Sequence, residues 1–195
     1  MQYSEIAGLA RRVKENVAKV IIGRNEQIDL ILAAIIANRG YYYTPHLVKA
    51  IEGRDSIDAR FYERHYTMVD SIHYVPIVEG MWRSVNVSGT SRTAYLPGWD
   101  VCGKTGTAEN NKKYADHSTF LSFAPKDNPK IAISVYVEHG GFGSAIAVPI
   151  ASLIEEMYLT GKVERPQLVE RVKNAKPNYR LYDEKQRKYD AQRNK

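Results

Sequence analysis

The stretch over residues 99–125, WDVCGKTGTAENNKKYADHSTFLSFAP, decides how this chain of 195 residues is interpreted. Two unrelated chemistries compete for Lys104, Thr105, Gly106 and Thr107 at its centre. In one, Lys-Thr-Gly is the substrate-binding strand of an enzyme that transfers acyl groups through a serine. In the other, residues 98–105 satisfy the pattern G-x-x-x-x-G-K-T, which is typical of a loop that cradles phosphate.

A phosphate loop needs an apolar strand before its glycines and a helix after Lys-Thr, because free N–H groups at the helix N-terminus hold the phosphate. Here the preceding segment ends in Pro97, and residues 106–111 are poor helix formers. Asp100 inside the loop would also repel phosphate. The sequence therefore favours the strand. An AAA+ ATPase fragment that uses residues 98–105 and a non-enzymatic interaction module stay open as alternatives.

An edge strand carrying Lys-Thr-Gly can pair its backbone with an extended peptide, which adds a strand to the sheet. Gly106 removes side-chain bulk where the backbone of that peptide approaches. The ammonium of Lys104 and the hydroxyls of Thr105 and Thr107 can hold a carboxylate by charge-assisted hydrogen bonds. The backbone N–H of Thr107 can stabilise an oxyanion.

Hydrophobic periodicity predicts the other elements. Apolar residues at three- and four-residue steps predict a pair of helices over residues 4–38 and single helices over residues 76–87 and 145–159. Strand patterns cover residues 47–51, 99–105, 118–124 and 131–137, and a tight turn makes the last two an antiparallel hairpin. Residues 140–143 are expected to be a flexible link. The predicted fold class is α+β, with an antiparallel sheet packed against helices.

Composition narrows the function classes. A hydrophobic fraction of 44% supports a globular core. Much of the net charge of +6 lies in residues 162–195, which we expect to be a basic flexible tail, since no nucleic-acid-binding module is recognisable there. Cys102 is the single cysteine, so no internal disulfide forms, and it is expected to be buried.

The same survey predicts no membrane segment, metal or cofactor. No stretch of the sequence approaches the ~20 apolar residues that cross a bilayer. The five histidines are scattered without metal-ligand spacing and are expected to be structural. They are His46, His65, His73, His117 and His139.

Several spaced motifs agree in order with one family. They are IANRGYYYTPHLVKAIEG, ERHYTMVDSIHYVPIVEGMW, GKTGTAENN, DHSTFLSFAP and VYVEHGGFGSAIAVPIASLIEEMYL. On these, residues 37–168 resemble the C-terminal end of class B penicillin-binding proteins, of the elongation-type penicillin-binding protein 2 group. The resemblance implies an incomplete serine-transpeptidase/β-lactamase-like domain over residues 39–161.

The resemblance also implies an activity. Such enzymes are D,D-transpeptidases that cross-link peptidoglycan, and their partners are the D-Ala-D-Ala stem peptide and the β-lactams that mimic it. Their parent proteins are anchored in the inner membrane and act on its periplasmic face. Lys104, Thr105, Gly106 and Thr107 would be the substrate-binding residues, and Asp116 with His117 would border the groove.

Two further motifs of the family are not matched. No serine of this chain has a lysine three residues later, so the nucleophile motif Ser-x-x-Lys is absent from the sequence. Ser84 and Asn86 match Ser-x-Asn by letter, but they lie in a predicted helix close before Lys104, and we expect a coincidence. We therefore assign no catalytic residue and expect an inactive fragment of the enzyme.

Residues 4–36 depart from the family. The string ARRVKENVAKVIIGRNEQIDLILAAI resembles the start of a MoxR-type AAA+ ATPase, and an arbitrary amphipathic helix pair is the alternative. The sequence thus predicts three parts. Residues 1–38 form a helical segment that is foreign or remodelled, residues 39–161 the transpeptidase part, and residues 162–195 the tail.

Overall fold

A computed structural model describes residues 25–47, 58–109 and 115–175, with four single residues further on: Glu184, Lys188, Ala191 and Gln192. The first helix of the predicted N-terminal pair therefore lies outside the described residues. The helices are α1 (Asn25–Ala37), α2 (Tyr74–Asn86), α3 (Ala147–Thr160) and α4 (Pro166–Lys173). The strands are β1 (Tyr41–Tyr43), β2 (Arg64–Tyr66), β3 (Cys102–Ala108), β4 (His117–Ala124) and β5 (Ile131–Val137).

Two antiparallel sheets organise these strands. The larger has the order β3-β4-β5, and the smaller pairs β1 with β2. In the larger sheet Cys102 lies opposite Phe123, and Phe123 lies opposite Ala132. The hairpin of β4 and β5 confirms the predicted antiparallel pair, and the helices around the sheet confirm the α+β class.

Helices cover both faces of the larger sheet. α1 and α2 pack on the face that carries Cys102 and Phe123, through a cluster that includes Met81. α3 packs on the opposite face, which carries Phe120 and Ala124. Phe120 and Phe123 point to opposite faces because side chains alternate along a strand, and both are fully buried.

The spacing of apolar residues explains α2. Its buried residues are Tyr74, Val78, Met81 and Val85, which recur every three or four positions and form one stripe. The structure confirms the helix predicted over residues 76–87, although the helix starts two residues earlier, at Tyr74, and ends at Asn86.

The ends of two helices follow from backbone conformation. After α1, Gly40 has a φ of 110° and donates its N–H to the carbonyl of Ile35. After α3, Gly161 has a φ of 77° and closes the helix on the carbonyl of Met157, as expected for a glycine after the last turn.

The predicted strand over residues 47–51 lies outside the described residues except for Leu47, which is fully exposed and not part of a strand. β2, at residues 64–66, is a strand that the sequence patterns do not predict. α4 lies in the predicted basic tail. Arg165, just before this helix, donates to the carbonyl of Ser152, and Arg171, within it, donates to the carbonyl of Ala145. Within the described ranges no helix has both the length and the apolar character to span a bilayer.

Candidate functional site

β3 forms an open margin of the larger sheet, because β4 is its only strand neighbour among the described residues. Lys104 is exposed on this margin, and Thr107 is exposed three residues further on. The chain stays extended from Cys102 to Ala108, so no helix begins after Lys104. The phosphate-loop interpretation of residues 98–105 is therefore wrong, since it needs a helix N-terminus at that point.

Asp100, inside the same segment, has a structural partner. Its carboxylate accepts a hydrogen bond of 2.8 Å from the indole N–H of Trp82 on α2. Val101, the next residue, is buried in the core and accepts a bond of 2.8 Å from the side-chain amide of Asn86. These two contacts fix the approach to β3 against α2.

The strand distributes its polar side chains over both faces. Lys104 lies opposite Leu121, and Thr105 lies opposite Phe120. Because side chains alternate along a strand, Lys104 and Gly106 share the α2 face, whereas Thr105 and Thr107 share the α3 face. A peptide that pairs with the open edge would lie in the plane of the sheet, within reach of groups from both faces.

Two contacts hold these groups in place. The ammonium of Lys104 donates to the carbonyl of Thr105 at 2.6 Å. The hydroxyl of Thr105 lies 2.6 Å from the hydroxyl of Thr90, in the segment between α2 and β3. Thr90 is thus a neighbour of the margin that the sequence did not single out.

The glycines of β3 have packing reasons. A Cβ at Gly106 would collide with the hydroxyl of Thr119, its partner on β4, and a Cβ at Gly103 would collide with the ring of Phe120. Close packing against Thr119 therefore favours glycine at position 106 whether or not a ligand approaches it.

A second glycine segment lies against the same strand. The glycine loop, residues 140–146, connects β5 to α3, and a Cβ at its Gly143 would lie 2.7 Å from the carbonyl oxygen of Gly106 and 2.6 Å from that of Thr119. The hydroxyl of Ser118 donates to the carbonyl of Phe142 at 3.1 Å and accepts the N–H of Ala147 at 3.3 Å. The expectation of a flexible link missed this contact, because the partners are distant in sequence.

The far end of the strand adjoins two histidines. Ala108 pairs with His117, whose Nδ1 accepts the backbone N–H of His139 at 3.1 Å. The two imidazole rings lie 5.0 Å apart. The described residues contain no group of three or more potential metal ligands. Through its contacts with His139, His117 joins the start of β4 to the end of β5. The groove role of Asp116 and His117 stays a prediction.

Ser84 and Asn86 make contacts within the fold. The hydroxyl of Ser84 donates to the hydroxyl of Ser91 at 3.0 Å. Asn86 donates its amide to the carbonyls of Trp82 and Val101. These contacts agree with the interpretation that their match to Ser-x-Asn is coincidental.

Cys102 at the start of β3 is fully buried, as expected. Loss of hydration raises the pKa of its thiol to about 12. The thiol is therefore protonated at neutral pH, and a role as nucleophile is disfavoured because the thiolate is the reactive form.

Similarity to known proteins covers the region that contains this site. The sequence profile of the penicillin binding protein transpeptidase domain matches residues 26–156. The peptidoglycan D,D-transpeptidase MrdA of Haemophilus influenzae is 34% identical over 148 residues, covering 66% of this chain and 23% of MrdA. The peptidoglycan D,D-transpeptidase PbpA of Mycobacterium tuberculosis is 30% identical over 141 residues, covering 67% of this chain and 28% of PbpA.

The similar solved structures are also penicillin-binding proteins. PBP2 of Pseudomonas aeruginosa has 33% identity and a TM-score of 0.54, covering 66% of this chain and 29% of that one. Penicillin-binding protein A of M. tuberculosis, as an imipenem acyl-enzyme complex, has 31% identity and a TM-score of 0.54 over the same shares. The chain spans about a quarter of the length of MrdA and PbpA, at 23% and 28% respectively. The region matched by the transpeptidase profile begins at residue 26 and so contains nearly all of α1, which was predicted to belong to the N-terminal helical segment.

Proposed function

The chain belongs to the penicillin-binding protein transpeptidase family, and from this premise we propose that it carries the substrate-binding strand of a peptidoglycan D,D-transpeptidase. The proposed ligand is the C-terminal carboxylate end of a D-Ala-D-Ala stem peptide, or a β-lactam that mimics it. The process would be cell-wall synthesis on the periplasmic face of the inner membrane. The observation that carries the proposal is the open margin of β3, where Lys104 and Thr107 are exposed.

Each group of the strand has a physical role in this proposal. The ligand backbone would pair with β3 along its free edge. The ammonium of Lys104 would leave its contact with the carbonyl of Thr105 and bind the ligand carboxylate, because a charged acceptor makes the stronger hydrogen bond. The hydroxyls of Thr105 and Thr107 would complete the carboxylate site, and the N–H of Thr107 would face an oxyanion.

We further propose that this chain alone forms no acyl-enzyme. A covalent intermediate needs a serine activated by an adjacent base, and the sequence offers no Ser-x-x-Lys. The acyl-enzyme reported for the M. tuberculosis relative supports the ligand class but requires a group that these residues do not supply. The proposed contribution of the chain is ligand recognition.

Two measurements test the proposal together. The first is gel detection of a fluorescent penicillin after incubation with the whole chain, for which we expect no covalent band. The second is equilibrium binding of a fluorescently labelled D-Ala-D-Ala peptide. Lys104→Gln is expected to weaken this binding by about tenfold or more, because a charge-assisted hydrogen bond contributes about 1.5–3 kcal/mol.

Lys130→Gln is the matched control, since it removes the same charge from an exposed position in the turn between β4 and β5. It is expected to bind like the wild type. A covalent band would contradict the absence of a nucleophile. Peptide binding that is equal in Lys104→Gln and wild type would contradict the substrate strand and would favour the non-enzymatic interaction module.

A further inference from the structure

A cleft remote in sequence from the Lys-Thr-Gly motif gathers three arginines. Its volume is about 470 Å³, and Arg92, Arg165 and Arg171 all line it. Arg92 opens the 3-10 turn Arg92–Ala94, Arg165 immediately precedes α4, and Arg171 lies in the last turn of that helix. The cleft is shallow and largely open to solvent, so a ligand there would keep one side exposed.

The charges in the cleft are only partly balanced. Arg165 pairs with the buried carboxylate of Glu156 at 2.9 Å, and its remaining nitrogens donate to the carbonyls of Thr93 and Ser152. Among the described residues, neither Arg92 nor Arg171 forms an ion pair. Two guanidinium charges are therefore left for a ligand.

Both of these guanidiniums are held in place by backbone carbonyls. Nη1 of Arg92 donates to the carbonyls of Val85 and Asn86. Nη2 of Arg171 donates to the carbonyl of Ala145 at 3.1 Å. For Arg92 this leaves Nε and Nη2, which lie on the same edge of the guanidinium and can form a two-pronged donor, whereas Arg171 keeps Nε and Nη1 as separate donors. A cation positioned before binding loses little side-chain freedom when the anion arrives.

The other side chains that line the cleft indicate which further groups a ligand could carry. Tyr95 is 42% exposed, and the guanidinium carbon of Arg92 lies 4.6 Å from the centre of its ring. Leu168 of α4 lines the same cleft. The cleft thus combines two unbalanced cations with an aromatic and an aliphatic side chain, and it is larger than one small anion needs.

We propose that this cleft binds a phosphate group carried on an organic moiety, with Arg92 and Arg171 as its ligands. Phosphate fits because its oxygens can accept from the fork of Arg92 and from a single donor of Arg171, and because its charge can balance both. The group can come from a soluble phosphoester or from a phospholipid headgroup. The inference is independent of the transpeptidase proposal, since it uses no residue of β3.

Calorimetric titration of the whole chain at low ionic strength tests the site. The soluble probes are inorganic phosphate and glycerol 3-phosphate, and the lipid probe is a vesicle of phosphatidylglycerol in phosphatidylcholine. Arg92→Gln and Arg171→Gln are each expected to weaken binding about tenfold, which corresponds to one charge-assisted contact. The double variant is expected to lose measurable binding.

Arg60→Gln is the matched control, because it makes the same substitution at an exposed arginine in the 3-10 turn Ala59–Phe61. It should bind like the wild type, and circular dichroism should show all variants folded. Arg92→Lys keeps the charge but not the fork, so intermediate affinity is expected. Arginine-dependent binding of glycerol 3-phosphate identifies a soluble ligand, and arginine-dependent binding of vesicles alone identifies a lipid headgroup. If no probe binds, or if binding is equal in the double variant and in Arg60→Gln, the proposal is overturned.

Discussion

Replacing Glu155 with glutamine is expected to remove a large pH dependence from the stability of the chain. Glu155 lies on α3 and is 1% exposed. Among the described residues, its carboxylate oxygens and the buried hydroxyl of Ser122 on β4 make no hydrogen bond of good geometry, and only a weak interaction joins the two side chains. Burial raises the pKa of Glu155 to about 7, against weaker lowering effects of Ser122 and Arg165.

The direction of the effect follows from proton binding. The unfolded chain releases the proton of Glu155 near its ordinary pKa of 4.5, whereas the folded chain keeps it until about pH 7. Between these values the folded state binds more protons, so the free energy of unfolding falls as the pH rises. The full difference corresponds to about 3 kcal/mol, most of which develops between pH 5 and pH 8.

Urea denaturation at pH 5 and pH 8 measures this quantity. Glu155→Gln has a similar shape but no ionisation, so the wild type should lose about 2–3 kcal/mol relative to the variant between the two conditions. An unpaired amide costs the same at both pH values and cancels from the comparison. Glu63→Gln removes a carboxyl from an exposed site and is expected to follow the wild type. Equal pH dependence of Glu155→Gln and wild type would refute the assignment of a buried, uncompensated carboxyl.

Two further predictions concern the packing around β3. Gly143→Ala is expected to destabilise the chain by about 1–3 kcal/mol in urea denaturation, because its Cβ would lie 2.6–2.7 Å from backbone oxygens of two strands. Gly80→Ala on α2, where a Cβ meets nothing within 4 Å, should instead stabilise by about 0.5–1 kcal/mol, and a Gly143→Ala chain as stable as wild type would contradict the close approach. Cys102 is expected to resist a thiol-reactive chromophore at pH 8 and to react fully in urea, and rapid reaction of the folded chain would contradict its burial.

The local sequence pattern was sufficient to predict those elements that are long and repeat their buried residues along one face. β4 and β5 have strong strand composition and a tight turn, and β5 has the predicted bounds. α2 shows the helical spacing of its buried residues directly. For such elements the sequence carries the information, because the buried face is repeated several times within one segment.

Pattern failed where the stabilising partner is distant. α4 has eight residues, too few to be stable alone, and it is fixed by the contacts of Arg165 and Arg171 with the connection before α3 and with α3 itself. β2 has three residues and exists as a strand through its pairing with β1. The glycine loop reads as flexible by composition, and only the fold brings Gly143 against β3.

The same limit applies to the Lys-Thr-Gly motif itself. Gly103 and Gly106 match the family, yet the sheet favours glycine at both positions for packing reasons, so their presence does not separate ligand binding from folding. Lys104 is different, because its side chain is exposed and its ammonium contacts only the carbonyl of the next residue within the described chain. Folding gives little reason for a lysine there, whereas a carboxylate ligand does. Loss of peptide affinity in Lys104→Gln, with unchanged stability, therefore tests function separately from fold.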